Sequence, residues 1–435
     1  MRKGIKRSLA SVLFMSSLFL AACSSSSSQQ GQGGDQGSGD PVTIQIMQGK
    51  IEFNTQFEEL AKKYMDENPN VKIEITSVGG GTDYLSQLKT KFASGDEPEI
   101  FSVAGPSELE QFKDDMADLS DMDSVDAALE GTLDAVTVED DQILGIPYNL
   151  EGYGLIYNKD IFKKAGVDAE IIHTYEDLKA AAEKIDSQKE ELGIEAVFAL
   201  PGKETWVMTN HLGNTFLASE FDNNALKAYE SPTVAFDKSE EYQKMLDLQN
   251  DFSVQPVLSL DYSQQVEEYF SLGQVAIIQQ GNWVYPTLQQ MDEDFAENDV
   301  GMMPIPVEGE EDKLPVGVPN YWAINKNSDD ATIKEAEKFL DWMNLSDEGK
   351  DFVLTEFKFV PAYENYDGSK ITDPLSKAVY DYSQSGETIG WVFNGYPAGW
   401  EQDSFGPNIQ KYLDGTMTWE ETIDQSKEAW ASIRK

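Results

Sequence analysis

From Pro41 onward, short apolar runs alternate with segments whose apolar residues recur every three to four positions, the signature of strands and amphipathic helices laid down in turn. Val42–Met47 reads as a first strand. A helix is expected to open on the capping box Thr55-Gln56-Phe57-Glu58, to bury Phe57, Leu60, Ala61 and Tyr64, and to stop at Asn68-Pro69. A strand over Val71–Val78, a helix over Asp83–Ala93 with Leu85, Leu88 and Phe92 inward, and a strand over Glu99–Ala104 complete a βαβαβ series. Parallel strands joined by right-handed crossovers leave a ligand crevice at their carboxyl ends.

A second series follows. Thr174-Tyr175-Glu176-Asp177 caps a helix with Leu178, Ala182 and Ile185 inward, and Ala196–Leu200 and Val275–Gln279 read as strands. Lys334–Met343 is amphipathic through Ile333, Ala336, Leu340 and Met343, and a last helix boxed at Thr418–Glu421 turns Ile423, Trp430 and Ile433 inward. A chain of 435 residues exceeds the roughly 250 to 300 that one core serves, so two α/β domains are expected. No repeat and no Pro/Gly-rich linker occurs after Asp40, so the chain must pass between them through strands.

The first 40 residues change the picture. Arg2, Lys3, Lys6 and Arg7 precede an apolar stretch, Leu9–Leu20, too short to span a bilayer comfortably, and Leu20-Ala21-Ala22-Cys23 is similar to a bacterial lipobox. Residues 1–22 therefore read as a signal peptide and Cys23 as a lipidated first mature residue, which also leaves no second thiol for a disulfide. Residues 23–40 form a Ser/Gly/Gln-rich tether reaching on the order of 20 to 25 Å. The protein is expected on the extracytoplasmic face of a bacterial membrane, of the Gram-positive cell-surface type, as a monomer.

The formal charge is −45, and loss of a leader with four cations and no acid takes it to −49, which disfavours nucleic acid as a partner. Catalytic and metal chemistry have little to build on. The two histidines, His173 and His211, lie in no triad motif and read as ordinary polar residues, zinc would need three or four His or Cys ligands, and no cofactor is expected. Gly79-Gly80-Gly81-Thr82 lacks the lysine of a phosphate loop, and 78 acids offer so many chance pairs that composition says nothing about glycoside hydrolysis. Trp206, Trp283, Trp391 and Trp400 sit in polar, Gly/Pro-punctuated contexts suited to stacking on sugar rings, whereas Trp342, Trp419 and Trp430 lie in helices and read as packing.

LEGYGLIYNKDIFKKAG, FSLGQVAIIQQGNWVYP and the stretch from Asp299 to Val353 resemble, in that order, the lobe crossings of extracellular solute-binding proteins of carbohydrate ABC transporters, and IQKYLDGTMTWEETIDQSKEAW fits their C-terminus. The resemblance covers Pro41–Lys435. It implies a two-lobed α/β fold of the periplasmic-binding type II class, with residues 41–149 plus 317–360 in one lobe and 152–314 plus 361–435 in the other. It also implies an oligosaccharide bound between the lobes and delivered to ABC permease subunits, and no enzymatic activity.

Against the maltose-binding members of that family, Glu151 falls on a sugar-binding glutamate of the first crossing and Gly281-Asn282-Trp283 on a stacking tryptophan. Trp206 and Trp400 fall near two further stacking positions, Lys50 and Glu52 near a first-loop pair, and Tyr84, Asn320 and Trp322 complete the expected ligand-binding set. The same alignment favours α-linked glucosides. A polyamine, ferric ion or phosphorylated sugar on the same fold, or a secreted glycosidase or adhesin, are the alternatives; Arg434, the only arginine beyond the leader, argues against an anionic cargo.

Overall fold

The computed structural model describes residues 41–78, 84–138 and 142–435, without the side chain of Glu52. Cys23 and Gly79–Thr82 lie outside the described residues. Among the described residues eleven strands form two sheets: β1 (Val42–Gln48), β2 (Val71–Ser77), β3 (Ile100–Val103), β4 (Ile146–Pro147), β5 (Glu151–Asn158), β6 (Ala196–Phe198), β7 (Val275–Gly281), β8 (Val300–Met303), β9 (Leu314–Gly317), β10 (Tyr321–Ile324) and β11 (Thr388–Ile389).

The first sheet has the order β2-β1-β3-β10-β4. β1 runs parallel to both β2 and β3, as the βαβαβ pattern predicts, and β10 is antiparallel to β3 and β4. The second sheet has the order β11-β9-β5-β7-β6, with β8 paired to β5. The chain leaves the first sheet after Pro147 and enters the second at Glu151, then returns between Gly317 and Tyr321. Both passages run from strand to strand over three residues.

Three helices show how local sequence meets packing. The helix expected to start on Thr55 begins at Asn54 instead, because a 3-10 turn over Ile51–Phe53 feeds straight into it; no side chain caps it, and Asn54 Nδ2 donates to Glu58 Oε1 at 2.9 Å. Its inner face, Phe57, Leu60, Ala61 and Tyr64, is buried as the spacing predicts. The helices Tyr175–Asp186 and Trp419–Ile433 both carry complete capping boxes. Ile433, however, is 47% exposed, since Trp430 supplies the last inward turn.

The cores follow the sheets. Phe57, Trp322 and Phe339 anchor one side, and Tyr153, Trp400 and Trp430 the other, while a third cluster joins Phe101 and Tyr321 to Leu314, Val316 and Val379 where the chain crosses. The second return to the far sheet comes later than Val360. Ala362 O accepts from Leu129 N, Glu364 N donates to Ala127 O, and the Tyr363 hydroxyl donates to Pro147 O, so residues 361–364 stay beside the first sheet. The helix Pro374–Ser385 then packs on β5, β8 and β9.

Candidate functional site

A cavity of about 600 Å³ opens between the two sheets. Its first wall is short and polar. The loop after β3 and the helix Pro106–Phe112 bring Ala104, Gly105, Ser107, Glu108 and Gln111 to it, and Glu108 Oε2 accepts from Ala104 N at 2.8 Å, which fixes the carboxylate over the helix start. A Cβ on Gly105 would lie 2.8 Å from Asn394 Cβ, so only glycine permits the approach of the opposite wall there. The walls meet at this edge: Ser107 Oγ donates to Tyr396 O at 2.7 Å and Asn394 Nδ2 to Val318 O at 3.2 Å.

The second wall is aromatic. β7 ends in Gly281, and the 3-10 turn Asn282–Val284 folds the Trp283 ring back over it; a Cβ at Gly281 would stand 2.1 Å from that ring. This is the physical content of the Gly-x-Trp pattern. Asn282 locks the turn, accepting from Gly152 N at 3.0 Å and donating to Ser376 Oγ at 3.2 Å. Trp283 Nε1 donates to Gln280 Oε1 and Trp206 Nε1 to Glu204 Oε2, each at 3.1 Å, so both indoles have their polar edge tied to protein and offer ring surface.

His211 holds the two together, 4.9 Å from Trp206 and 5.1 Å from Trp283, while stacking on Tyr153 at 4.2 Å. Burial pushes its pKa down to about 3, so the imidazole is neutral at ordinary pH. Trp391 and Phe393, 5.1 Å apart, extend the wall.

At the floor, where β5 begins, Glu151 is only 7% exposed and takes an ion pair from Lys50 Nζ. Lys50 is placed by Gln48, whose Nε2 donates to Lys50 O at 2.8 Å while its Oε1 accepts from Lys50 N. The ammonium also stands 5.6 Å over the Phe359 ring. The pair joins the end of β1 in one sheet to the start of β5 in the other.

Glu151, Trp206, Trp283 and Asn320 therefore line one cavity, and Lys50 reaches it through Glu151. Four expected residues do not line it, Lys50 standing just outside the lining behind Glu151. Trp322 is 2% exposed and stacks on Tyr148 at 3.6 Å beside Phe57, so it is a core residue of the first sheet. Trp400 is 0% exposed, stacked on Phe405 at 4.6 Å with Nε1 donating to Ser426 O. The Tyr84 hydroxyl is turned to the backbone of Met47 and Ser102 behind the first wall, and burial raises its pKa.

Glu108, Gln111, Asn394 and Glu401 line the cavity although no sequence pattern marks them, and His211 does so although it reads as an ordinary polar residue. Only Trp391 carried a signal, its Gly-flanked loop setting. Among the described residues no cluster of His, Cys, Asp or Glu could hold a metal ion, and no helix is long and apolar enough to cross a membrane.

A family model described as bacterial extracellular solute-binding protein matches residues 50–350. The multiple sugar-binding protein of Streptococcus mutans is 23% identical over 355 residues, covering 78% of this chain and 79% of that protein. Among solved structures, a chitin oligosaccharide binding protein matches 91% of this chain and 100% of its own with a TM-score of 0.74 at 20% identity. The solute-binding protein RafE in complex with raffinose matches 91% and 100% with a TM-score of 0.72 at 18% identity.

Proposed function

This chain belongs to the bacterial extracellular solute-binding protein family, and we propose that, like its sugar-binding relative, it captures an oligosaccharide in the cavity between its sheets and delivers it to an ABC permease. The observation that carries this reading is the pairing of an aromatic wall with a polar one. Sugar rings present C–H faces to Trp206, Trp283 and Trp391, and their hydroxyls bond to carboxylates and amides such as Glu151, Glu108 and Asn394.

In this reading the lobes are built on the two sheets, and the passages at 148–150 and 318–320 act as hinges. Sugar docks on the aromatic wall and the polar wall swings onto it, a shift driven only by contacts that the closed form adds. Ser107–Tyr396 is a contact of that closed form. Lipidation at Cys23 holds the protein at the outer face of the membrane, and no bond in the sugar is made or broken.

Calorimetric titration of purified protein with maltotriose, raffinose, stachyose, xylotriose and N-acetylated chitotriose tests the reading. At least one should bind, and Trp283→Ala should weaken it by about 30-fold. The three carboxylates lining the cavity also suit a polyamine, so spermidine belongs in the same titration. Binding of spermidine with silence from every saccharide would replace the sugar assignment.

A further inference from the structure

We infer that Glu401 makes the cavity a charge filter, admitting neutral or amine-bearing saccharides and excluding saccharides that carry carboxylates. This inference rests on the saccharide reading above and deepens it. Glu401 follows Trp400 directly, at the start of a π-helical segment, Glu401–Phe405, that continues into the helix Gly406–Leu413. The wider turn sends the Trp400 ring into the core and leaves Glu401 at the cavity wall, 6% exposed.

A second π-helical segment, Val207–Gly213, faces it and carries Thr209. The Thr209 hydroxyl, fully buried, lies 3.0 Å from Glu401 Oε1 and 2.8 Å from Thr205 O, sharing its one proton between them. The carboxylate is thus fixed by side-chain contact inside the same aromatic wall that holds Trp206 and His211. Two irregular helical turns converge on one acid in a ligand-sized cavity.

The charge balance of the lining gives the filter its sign. Glu108, Glu151 and Glu401 line the cavity, and among the described residues no Lys or Arg does. Lys50 stands at the floor but is matched by Glu151. His211 is neutral because burial suppresses its protonation. A hydroxyl or an ammonium can donate to Glu401 and Glu108, whereas a carboxylate brought into the same space faces like charge.

The test uses whichever neutral saccharide of the panel binds, together with its oxidised counterpart: TEMPO converts primary hydroxyls of the hexose oligomers to carboxylates, and xylotriose, which has none, is oxidised at its reducing end to the aldonate. The oxidised form should bind wild-type protein at least about tenfold more weakly, with the ratio shrinking as salt rises. Glu401→Gln retains an acceptor for Thr209. It should weaken neutral sugar a few-fold yet narrow the neutral-to-acid ratio by about tenfold, with Glu108→Gln giving a smaller change in the same direction. Equal binding of the two sugars by wild type overturns the filter while leaving the sugar-binding reading intact. A ratio unmoved in both variants also overturns it, since the loss would then come from shape. Failure of every neutral saccharide to bind removes the sugar-binding reading and the filter with it.

Discussion

Gly281-Asn282-Trp283 and Gly399-Trp400-Glu401 look alike in sequence, each a glycine-led tryptophan in a polar stretch, and the two indoles end in opposite places. Trp283 follows a strand in a tight turn and folds over its own glycine, so its ring stays at the surface of the second sheet and faces the cavity. Trp400 enters a π-helical turn against Phe405 and Trp430, which arrive from farther along the chain and enclose it. The residue that reaches the cavity there is Glu401. A polar neighbourhood in sequence therefore says that a tryptophan is near a surface element, while the partners folded onto it decide which way the ring points.

The largest effect that could break this contrast is on stability. Trp400→Ala should cost about 3 to 5 kcal/mol and lower the melting temperature sharply, while saccharide affinity of the protein that remains folded changes little. An unchanged melting curve with lost affinity would put Trp400 at the ligand after all. Lys50→Met comes next: it leaves the buried Glu151 charge without its counter-ion and should cost about 3 kcal/mol in chemical denaturation, much more than Lys50→Met combined with Glu151→Gln.

For Trp283→Ala the ranking reverses, with about 2 kcal/mol lost from binding and little from stability, read by calorimetry and melting side by side. The smallest effect sharpens the role of His211 between Trp206 and Trp283. Its folded pKa of about 3 lies below the usual 6.5, so the unfolded chain binds the extra proton between those values and stability must fall as pH drops from 6.5 towards 3. Between pH 7 and pH 5 the loss is up to about 2 kcal/mol, and His211→Gln should remove that part of the pH slope.

Elements with strong periodicity are legible in the residue pattern alone: the parallel β1, β2 and β3 and the boxed helices after Thr174 and Thr418; the crossing at Glu151 is legible only through the family resemblance. What escapes it has physical causes. The capping box at Thr55 fails because a 3-10 turn starts the helix early, a choice made by Phe53 packing on Phe57, Phe357 and Phe359 rather than by the cap. Trp322 reads as a crossing residue, yet Tyr148 and Phe57, both distant in sequence, close over it. Glu401 and His211 sit in π-helical turns, whose extra residue rotates side chains off the 3.6-residue stripe that pattern reading relies on. The hydrogen bond from Tyr363 back to Pro147, which keeps residues 361–364 beside the first sheet, has no mark in the residue pattern.

The folding of Trp283 over Gly281 matters for anyone who would retune what the cavity holds. The exchangeable unit is the glycine and the indole together: enlarging position 281 by a single methyl would evict the ring from its seat, even with the tryptophan untouched. A graft that moves only the aromatic residue into another member of the family would carry the label of the stacking platform and leave its foundation behind.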